Sequence, residues 1–584
     1  MTADGTAHSP GPSGVLVVGA GPVGLTAATA LLQQGVRVRL IDRADRPNPH
    51  AKAITLWPRA LEALHRLGAG AEILARGLPL HAQNYHSAGR RVARLTFRKV
   101  PETRFPFAVS LPQQETEHAL RQRFEELGGK TEFGVGLTSV TQSPDDPDGV
   151  TVELTDGGGS SERVRVDWLI GADGAHSTVR EAIGTGFEGE TYPQRFLLSD
   201  GMCDTPLAQD EAHYFMTAKG VLVVVGLPGG HFRVFTSLAP NAEIADDIRA
   251  EVQRAASERC PVPILLTGEH RTGVFRVHRK IADRFRKGRV LLVGDAAHIH
   301  SPAGGQGLNT GIEDAASLAG PLGAVVRGER PADVLDGWER ERRAVAREVL
   351  SDTDLQTRLW TMRGWRRNVR DRALGIGERT GLLDRFITPR QTQLSLVHAV
   401  PGRPRGRLRE GARLPDVPLA PEGTGALAPD RTGAPASDRT GTAAPDRTTS
   451  PGTAVPRLHD LLDDGRPVLL VLAADGRNAA RTARARVLAE GLTGPGHRTV
   501  LVSAAGTGAV TGAGATGAPG ATGPVRVLAD PGGRVHAALS VRTPTVVLVR
   551  PDAVVSAVRP PGGPELFQEL RLVPPQAEPV QEGV

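Results

Sequence analysis

A glycine pattern near the N-terminus has the residue types and spacing that bind a dinucleotide. Gly19, Gly21 and Gly24 follow an apolar run, Val15 to Val18, and precede a stretch with helical apolar periodicity. Strand, glycine turn and helix in this order bring backbone N–H groups and the positive end of a helix to a pyrophosphate. Asp42 ends the next apolar run, where a carboxylate can accept hydrogen bonds from ribose hydroxyls.

Two later segments end apolar strands with a carboxylate. In residues 167–180 an apolar strand leads to Asp173 and Gly174, and Ser177 stands where an N-cap would open a helix. In residues 288–298 a buried strand leads to Gly294 and Asp295. The carboxyl ends of parallel strands form the usual ligand edge of such a sheet, so these carboxylates are expected at that edge.

A third motif, residues 299–311, is rich in glycine and leads into a helix predicted from about Ile312 to Val326. Glycines let backbone N–H groups approach a planar ligand, and the helix directs its positive end at that ligand. Such a helix end stabilises negative charge on a reduced flavin.

A second glycine pattern, Gly512, Gly514 and Gly517, is rejected as a nucleotide site. Pro519 and Pro524 follow it within a run of small residues, so no helix can present its N-terminus there. The sequence therefore predicts one dinucleotide domain and no separate domain for a nicotinamide cofactor.

Together the three motifs resemble those of the class A FAD-dependent aromatic hydroxylases, which are flavoprotein monooxygenases, over roughly Val15 to Leu419. Outside these motifs, Leu111-Pro112-Gln113 resembles the family segment whose glutamine touches the flavin chain. The resemblance implies that FAD contacts Gly19, Gly21, Pro22, Gly24, Asp42, Arg43, Lys52, Gln113, Asp173, Gly294, Asp295, Pro302, Gly304, Gly305, Gln306, Gly307, Leu308 and Asn309.

The resemblance also implies the chemistry. NADPH or NADH reduces FAD, molecular oxygen adds to flavin carbon 4a, and the hydroperoxide delivers a hydroxyl group to an electron-rich ring. Because the flavin carries this chemistry, no catalytic side chain is assigned firmly. The candidates are Lys52, Arg233 and Pro302.

Two positions depart from the family pattern. Lys52 stands where arginine is common, and Glu115 stands where a basic residue is common. Lysine cannot reproduce a bidentate arginine contact. We therefore expect weaker contacts to the phosphate of a nicotinamide cofactor than in the family pattern. The glycine-rich segment of the third motif, residues 302–309, is called the flavin loop below. His298 and His300 lie next to it and are expected to make structural hydrogen bonds rather than transfer protons.

The expected fold is α/β, with a discontinuous Rossmann-type FAD domain at residues 14–190 and 281–400. A β-sheet substrate domain is expected at residues 78–100 and 191–280. Alternation along its strand at residues 231–236 places His231, Arg233 and Phe235 on one face and Phe232 and Val234 on the other. One of these two sets is expected to face the flavin.

Residues 401–456 are interpreted as a connector and linker, because residues 421–456 repeat Asp-Arg-Thr and contain few large apolar residues. Residues 457–584 alternate strands and helices, end in a hairpin and contain no cysteine. They resemble the thioredoxin-like tail of a subgroup that acts on phenols and polycyclic aromatic polyketides.

Composition and charge limit the kinds of partner and ligand that are expected for this protein. The net charge of +6 comes from 70 basic and 64 acidic residues, and no basic cluster alternates with aromatic residues, so no nucleic-acid partner is expected. Two cysteines exclude a disulfide framework and a cysteine-ligated metal site, and no metal is expected. A cytoplasmic monomer or homodimer that binds a small aromatic substrate, with no membrane span, fits these features.

Other outcomes use the same motifs. A Baeyer-Villiger, ring-opening or decarboxylating flavin monooxygenase remains open, as does a non-catalytic FAD-binding protein. A flavin halogenase is less favoured, because no Trp-x-Trp-x-Ile segment follows the glycine pattern.

Overall fold

A computed structural model describes most of the chain. The described residues are 14–48, 53–97, 100, 102–238, 242, 244, 246–301, 303–396, 408–419, 456–473, 479–492, 497–503, 525–530 and 533–562. Lys52, Pro302, the Asp-Arg-Thr repeats and the second glycine pattern lie outside them. The predictions that concern those segments therefore stay predictions.

The described residues form two compact units. One comprises those within Met1–Pro401, with Gly411–Arg413 and Asp463–Gly465. The other comprises those within Gly402–Glu410, Leu414–Leu462 and Arg466–Val584. The first is called the cavity unit below, and the second the tail unit.

The cavity unit contains twenty strands and eleven α-helices among its described residues. The strands are β1 (Val15–Val18), β2 (Val38–Asp42), β3 (Thr55–Leu56), β4 (Leu78–Leu80), β5 (Ala82–Ser87), β6 (Arg90–Thr96), β7 (Ala108–Ser110), β8 (Thr131–Phe133), β9 (Val135–Thr141), β10 (Val150–Asp156), β11 (Ser161–Val166), β12 (Trp168–Gly171), β13 (Phe187–Asp204), β14 (Glu211–Thr217), β15 (Gly220–Gly226), β16 (His231–Ser237), β17 (Leu265–Ala282), β18 (Arg286–Lys287), β19 (Val290–Leu292) and β20 (His298–Ile299). The helices are α1 (Pro22–Gln33), α2 (Pro58–Arg66), α3 (Gly70–Arg76), α4 (Gln113–Glu126), α5 (Thr178–Ala182), α6 (Ile248–Arg259), α7 (Gly307–Val326), α8 (Val334–Thr361), α9 (Gly364–Arg379), α10 (Leu382–Phe386) and α11 (Thr388–Gln391).

A six-stranded sheet forms the nucleotide side of the cavity unit, in the order β18-β19-β12-β1-β2-β8. All of its strands run parallel except β18. The apolar runs of β1, β12 and β19 are fully buried, as a parallel sheet covered on both faces requires. The loops after β1, β12 and β19 therefore reach the same edge of the sheet, where the three sequence motifs lie.

An eight-stranded sheet forms the other side, in the order β20-β17-β13-β16-β15-β14-β5-β6. Its neighbours are antiparallel except β14 and β5. The early hairpin β5–β6 thus joins strands from residues 187–282, as the predicted substrate domain requires. The domain boundaries themselves stay a prediction.

Two small sheets complete this unit. One is antiparallel, β11-β10-β9, and the other is β3-β7-β4. Leu78 to Leu80 belong to the second of these, not to the large sheet that the sequence predicted for residues 78–100. The backbone of these three residues pairs with β7 instead of continuing into β5.

The tail unit has a five-stranded sheet. Its elements are β21 (Val468–Leu472), α12 (Ala479–Gly491), β22 (Arg498–Ser503), β23 (Arg526–Ala529), α13 (Arg534–Leu539), β24 (Thr545–Val549) and β25 (Val555–Arg559). The strand order is β23-β22-β21-β24-β25, with β24 antiparallel to β21 and β25. Each predicted strand and the final hairpin are present, and α13 was not predicted. The thioredoxin-like assignment stays a prediction.

Helix α7 starts earlier than the sequence predicted. It begins at Gly307 instead of about Ile312. Glycine is a poor helix former, but a Cβ on Gly311 would lie 2.7 Å from the Val23 side chain and 3.2 Å from the Cα of Gly294. Close tertiary packing of α7 against the glycine motifs therefore overrides local propensity. Among the described residues, no helix is long and apolar enough to cross a membrane.

Candidate active site

The glycine turn between β1 and α1 is packed too tightly for side chains. A Cβ on Gly24 would lie 1.8 Å from the carbonyl oxygen of Gly19, and Gly19 itself has a φ of +103°. Gly21 is the N-cap residue of α1, and a Cβ there would meet no atom within 4 Å. The turn is therefore closed on its protein side and open where a ligand can approach the start of α1.

Asp42 fixes the turn to the end of β2. Its carboxylate accepts hydrogen bonds from the backbone N–H of Ala20, at 2.7 Å, and of Ala44, at 2.9 Å. A carboxylate has about four acceptor positions, so capacity remains for hydroxyl groups of a ligand. This geometry matches the ribose role predicted for Asp42, which stays a prediction.

Asp173 organises the start of α5. Its carboxylate accepts hydrogen bonds from the Ser177 hydroxyl, at 2.6 Å, and from the backbone N–H of Val179, at 3.1 Å. Ser177 in turn caps α5 by accepting from the Arg180 N–H, as the sequence predicted. Burial raises the pKa of Asp173, and these hydrogen bonds oppose the rise. The side chain lines the cavity described below, so its predicted role toward FAD and nicotinamide remains a prediction.

Gln113 holds the segment after Lys52 in place. Its side-chain oxygen accepts from the Ala53 N–H at 3.2 Å, and its amide donates to Glu117 at 2.8 Å. Near it, Glu115 forms an ion pair with Arg76 at 2.9 Å. An arginine from α3 thus supplies positive charge beside the position where Glu115 departs from the family pattern.

Asn309 joins the flavin loop to the segment before α2. Its side chain accepts from the Trp57 N–H at 2.7 Å and donates to the carbonyl oxygens of Thr55, at 2.9 Å, and Gly305, at 2.8 Å. Trp57 makes a second connection through its indole N–H to the carbonyl of Gly304 at 2.8 Å. These bonds fix the loop from behind, because the Asn309 side chain is fully buried.

A buried ion pair connects α7 to β20, the strand that precedes the same loop. The Asp314 carboxylate accepts from His298 Nε2 and from Arg342 Nε, each at 2.6 Å. Burial favours the neutral acid, but Arg342 and His298 outweigh it and lower the pKa of Asp314 to about 2. His298 therefore has the structural hydrogen bond that the sequence predicted.

His300 stacks on His298 with ring centroids 5.5 Å apart. Its ring nitrogens have no hydrogen-bond partner among the described residues. Burial, and then the neighbouring His298, lower the pKa of His300 to about 3, so this ring is neutral at physiological pH. The predicted structural hydrogen bond of His300 is therefore absent from the described part of the chain.

A cavity of about 1710 Å³ connects the glycine motifs to one face of the eight-stranded sheet. Its wall includes Gly19, Gly21, Pro22, Asp42, Arg43, Gln113, Asp173, Arg233, Asp295, Gly304, Gly305, Gly307 and Leu308. The structure therefore brings residues from all three sequence motifs to one space. Gly24, Gly294, Gln306 and Asn309 are buried and are not among the lining residues.

Aromatic side chains form part of the far wall of the cavity, and charged, polar and aliphatic side chains form the rest. Of the two strand faces that alternation in β16 defined, the one with His231, Arg233 and Phe235 lines the cavity. Phe232 and Val234 pack on the opposite side, against a core that includes α6 residues. Arg233 forms a bidentate ion pair with Asp200, at 2.7 Å and 2.6 Å. This pair favours a binding role for Arg233 over proton transfer.

Sequence reasoning missed several cavity residues. Trp57, Phe275, Trp360 and Asp200 all line the wall. Trp360 lies at the end of α8, a helix that no motif marked, and Asp200 lies within β13. A signal was present for Phe275 and Asp200, because both lie in the inserted segment predicted to form the substrate sheet.

The residues present fit FAD. The turn that excludes side chains on its protein side is open at the start of α1, and Asp42 and Asp295 line the cavity beyond it. Gly304 and Gly305, with φ of +76° and +61°, form the wall that follows β20. Among the described residues, no group of His, Cys, Asp or Glu could hold a metal ion.

The chain belongs to the family described as FAD binding domain, whose family model matches residues 13–353. The α/β fold and the predicted FAD-binding class are thereby confirmed.

Two curated relatives extend this assignment. The chain is 39% identical over 353 residues to a 6-methylpretetramide 4-monooxygenase of Streptomyces rimosus, across 60% of this chain and 62% of the relative. It is 34% identical over 354 residues to a pentachlorophenol 4-monooxygenase of Sphingobium chlorophenolicum, across 59% of this chain and 65% of the relative. Both matches thus span less than two thirds of the relative's length.

A solved structure is similar over nearly the whole chain. The OxyS anhydrotetracycline hydroxylase from Streptomyces rimosus superposes with a TM-score of 0.68 and 26% sequence identity. The match covers 96% of this chain and 98% of that one.

Proposed function

We propose that the protein is an FAD-dependent monooxygenase that hydroxylates an aromatic substrate, of phenolic or polycyclic polyketide type, in natural-product biosynthesis. The overall reaction consumes one aromatic C–H bond, molecular oxygen, a proton and NADPH or NADH. It yields the hydroxylated ring, water and the oxidised nicotinamide. The named relatives act on substrates of this kind.

The observation that carries this proposal is the continuity of the cavity. One space of about 1710 Å³ has the dinucleotide turn at one end and an aromatic sheet face at the other. This volume exceeds the roughly 300–1,000 Å³ of a typical single-ligand pocket, which leaves room for a planar apolar ligand beside the flavin loop. A non-catalytic FAD carrier has no need of this second compartment.

The residues of this chain bind and orient the cofactor. Gly19, Gly21 and Asp42 hold the nucleotide half of the cofactor, and Asp295 holds its central part. The loop at Gly304 and Gly305, fixed through Asn309, supports the ring. Bound FAD supplies hydride acceptance and oxygen activation.

The aromatic wall excludes water from the reacting edge. Phe235, Phe275 and Trp360 cover the far side of the cavity with apolar surface. A dry cavity disfavours side reactions with water.

Both cysteines are free thiols in this structure. We place the activity in the cytoplasm, on a monomer or homodimer with no nucleic-acid partner and with a thioredoxin-like tail.

The test incubates FAD-loaded protein with NADPH or NADH, ¹⁸O₂ and a panel of phenols and fused-ring polyphenols. Substrate-dependent nicotinamide oxidation and a product that carries one ¹⁸O atom on a ring carbon support the proposal. Oxygen inserted between two carbons identifies a Baeyer-Villiger enzyme instead. FAD binding without any oxygenated product contradicts the proposal and leaves a carrier.

A further inference from the structure

The far wall of the cavity contains a buried ion pair between Asp200 on β13 and Arg233 on β16. The two residues are directly opposite each other in the antiparallel register. Arg233 donates from Nε to Oδ1 at 2.7 Å and from Nη2 to Oδ2 at 2.6 Å. The Arg233 side chain is 5% exposed and the Asp200 side chain 17%. The Arg233 side chain is therefore almost fully buried, and part of the Asp200 carboxylate remains accessible from the cavity.

On one side, the neighbours of this pair are apolar. Leu198 and Phe235 follow on the same face of β13 and β16, and Val225 on β15 is the register partner of Arg233 on its other side. Buried ion pairs seldom add stability, because desolvation of both charges offsets their attraction. A buried charged pair that faces a large cavity therefore indicates a ligand contact.

The hydrogen-bonding capacity of Asp200 defines which ligand group fits. An ionised carboxylate offers about four acceptor positions and no donor, and Arg233 uses two of them. The remaining positions accept hydrogen bonds from hydroxyl groups. A ligand carboxylate would instead meet the negative charge of Asp200, since the arginine behind it is already neutralised.

Three charged residues of β17, namely Glu269, Arg271 and Arg276, also line the cavity. Arg271 on β17 is the register partner of Asp200 on its other side, lines the cavity and is exposed to solvent. His231 and His270 also line this end of the cavity. Arg271 can attract an anion to this end, so its side chain must be kept in every variant that tests Asp200.

We propose that Asp200, held in place by Arg233, determines substrate specificity: it binds phenolic hydroxyl groups of a fused-ring aromatic ligand and disfavours carboxylate in their place. The aromatic class of the ligand rests on the proposed function. Asp200 acts here through binding, and no proton or electron transfer is assigned to it.

The experiment measures binding to FAD-loaded protein by calorimetry, with two probes that differ in one group. The probes are 2,3-dihydroxynaphthalene and 3-hydroxy-2-naphthoate. The wild-type protein should bind the diol at least about tenfold more tightly than the naphthoate. Asp200→Asn should lower this ratio at least about tenfold, because the amide loses acceptor capacity and no longer repels the carboxylate of the naphthoate.

Two further variants keep the result interpretable. Asp200→Leu combined with Arg233→Met removes both charges and should bring the ratio near one, even where the single variant fails to fold. Glu211→Gln breaks an ion pair with Arg94 on the same sheet, outside the cavity lining, and should leave the ratio unchanged.

Equal wild-type affinities, no binding of either probe, or an unchanged ratio in the Asp200 variants would overturn the proposal. Because no turnover is measured, an absence of oxygenated product would contradict the proposed function without altering these ratios.

Discussion

The indole Nε1 of Trp57 donates a hydrogen bond of 2.8 Å to the carbonyl oxygen of Gly304. It ties the residue before α2 directly to the glycine loop that lines the cavity. Because Asn309 bonds to the Trp57 backbone as well, the loop is held at two adjacent points. The position of this loop, which is predicted to support the flavin ring, therefore depends on a side chain that lies far away in the sequence.

Trp57→Phe should keep an aromatic ring and remove this bond. An unsatisfied buried carbonyl costs about 1–3 kcal/mol, so thermal unfolding should occur at a lower temperature. FAD dissociation, followed by the rise of free-flavin fluorescence, should accelerate several-fold. Trp338→Phe, which removes an indole bond of 3.1 Å to Ser317, should lower stability without changing FAD dissociation. Equal FAD dissociation in both variants would argue against a role of Trp57 in the loop.

Gly305→Val should uncouple the reaction and leave FAD bound. Gly305 has a φ of +61°, and a Cβ there would approach Thr55 to 3.4 Å. A β-branched residue at positive φ costs on the order of 1–3 kcal/mol and should shift the loop that supports the ring. A misplacement of about 1 Å can lower a rate on the order of a hundredfold. The ratio of hydrogen peroxide released to NAD(P)H consumed should rise.

Gly89 offers the matched control for this variant. It has a φ of +74° and lies in the hairpin turn between β5 and β6, with no atom within 4 Å of a Cβ. Gly89→Val carries similar backbone strain but should keep product yield normal. Normal yield in Gly305→Val as well would show that the loop lies away from the reacting edge.

Asp295→Ala should weaken FAD binding. A hydrogen bond to a charged group contributes about 1.5–3 kcal/mol, which corresponds to a roughly ten- to hundredfold loss of affinity. Equilibrium dialysis against FAD would measure it. Asp283→Ala, at an exposed position outside the cavity lining, provides the control and should retain wild-type affinity. Retention of flavin by Asp295→Ala after dialysis would exclude the assigned contact.

Asp314→Asn should destabilise the cavity unit and change its acid sensitivity. Loss of the carboxylate leaves Arg342 buried without its counter-charge, at a cost of about 3–5 kcal/mol. The pKa of Asp314 is lowered to about 2 from an ordinary value near 3.8, so its stabilisation is present above that ordinary value. It is lost as the pH falls through about 2.

The difference in urea midpoint between wild type and Asp314→Asn should therefore be constant above pH 4 and shrink below it. A difference that stays constant down to pH 2 would show that the carboxylate titrates normally. Asp336→Asn, in an exposed ion pair with Arg286, should produce little change at any pH.

Local patterns predicted the elements that carry the nucleotide motifs. Apolar runs, glycine turns and terminal carboxylates are short-range features, and the structure places all three motifs at one sheet edge. They could not predict the structural role of Asn309, whose hydrogen bond to Trp57 joins residues 252 positions apart. The register that sets Asp200 opposite Arg233 depends on the pairing of β13 with β16, which alternation within one strand does not specify.

The absence of long-range information from local sequence patterns also explains the two incorrect predictions about secondary structure. The start of α7 depends on close packing at Gly311, and the sheet that receives Leu78 to Leu80 depends on a partner strand, β7. Helix propensity and strand propensity contain neither kind of information. Lys52 and Pro302 lie outside the described residues, so their predicted roles rest on sequence alone.

The parallel pairing of β5 with β14 has a consequence for synthesis on the ribosome. The hairpin of β5 and β6 is made more than a hundred residues before its partner strand emerges, and α9, which packs against β6, follows later still. Until then the nascent chain carries an uncovered strand edge, which exposes it to aggregation. The compartment for the aromatic ligand cannot close before most of the cavity unit has left the ribosome. Truncated chains that end before β14 should therefore depend on chaperones to stay in solution.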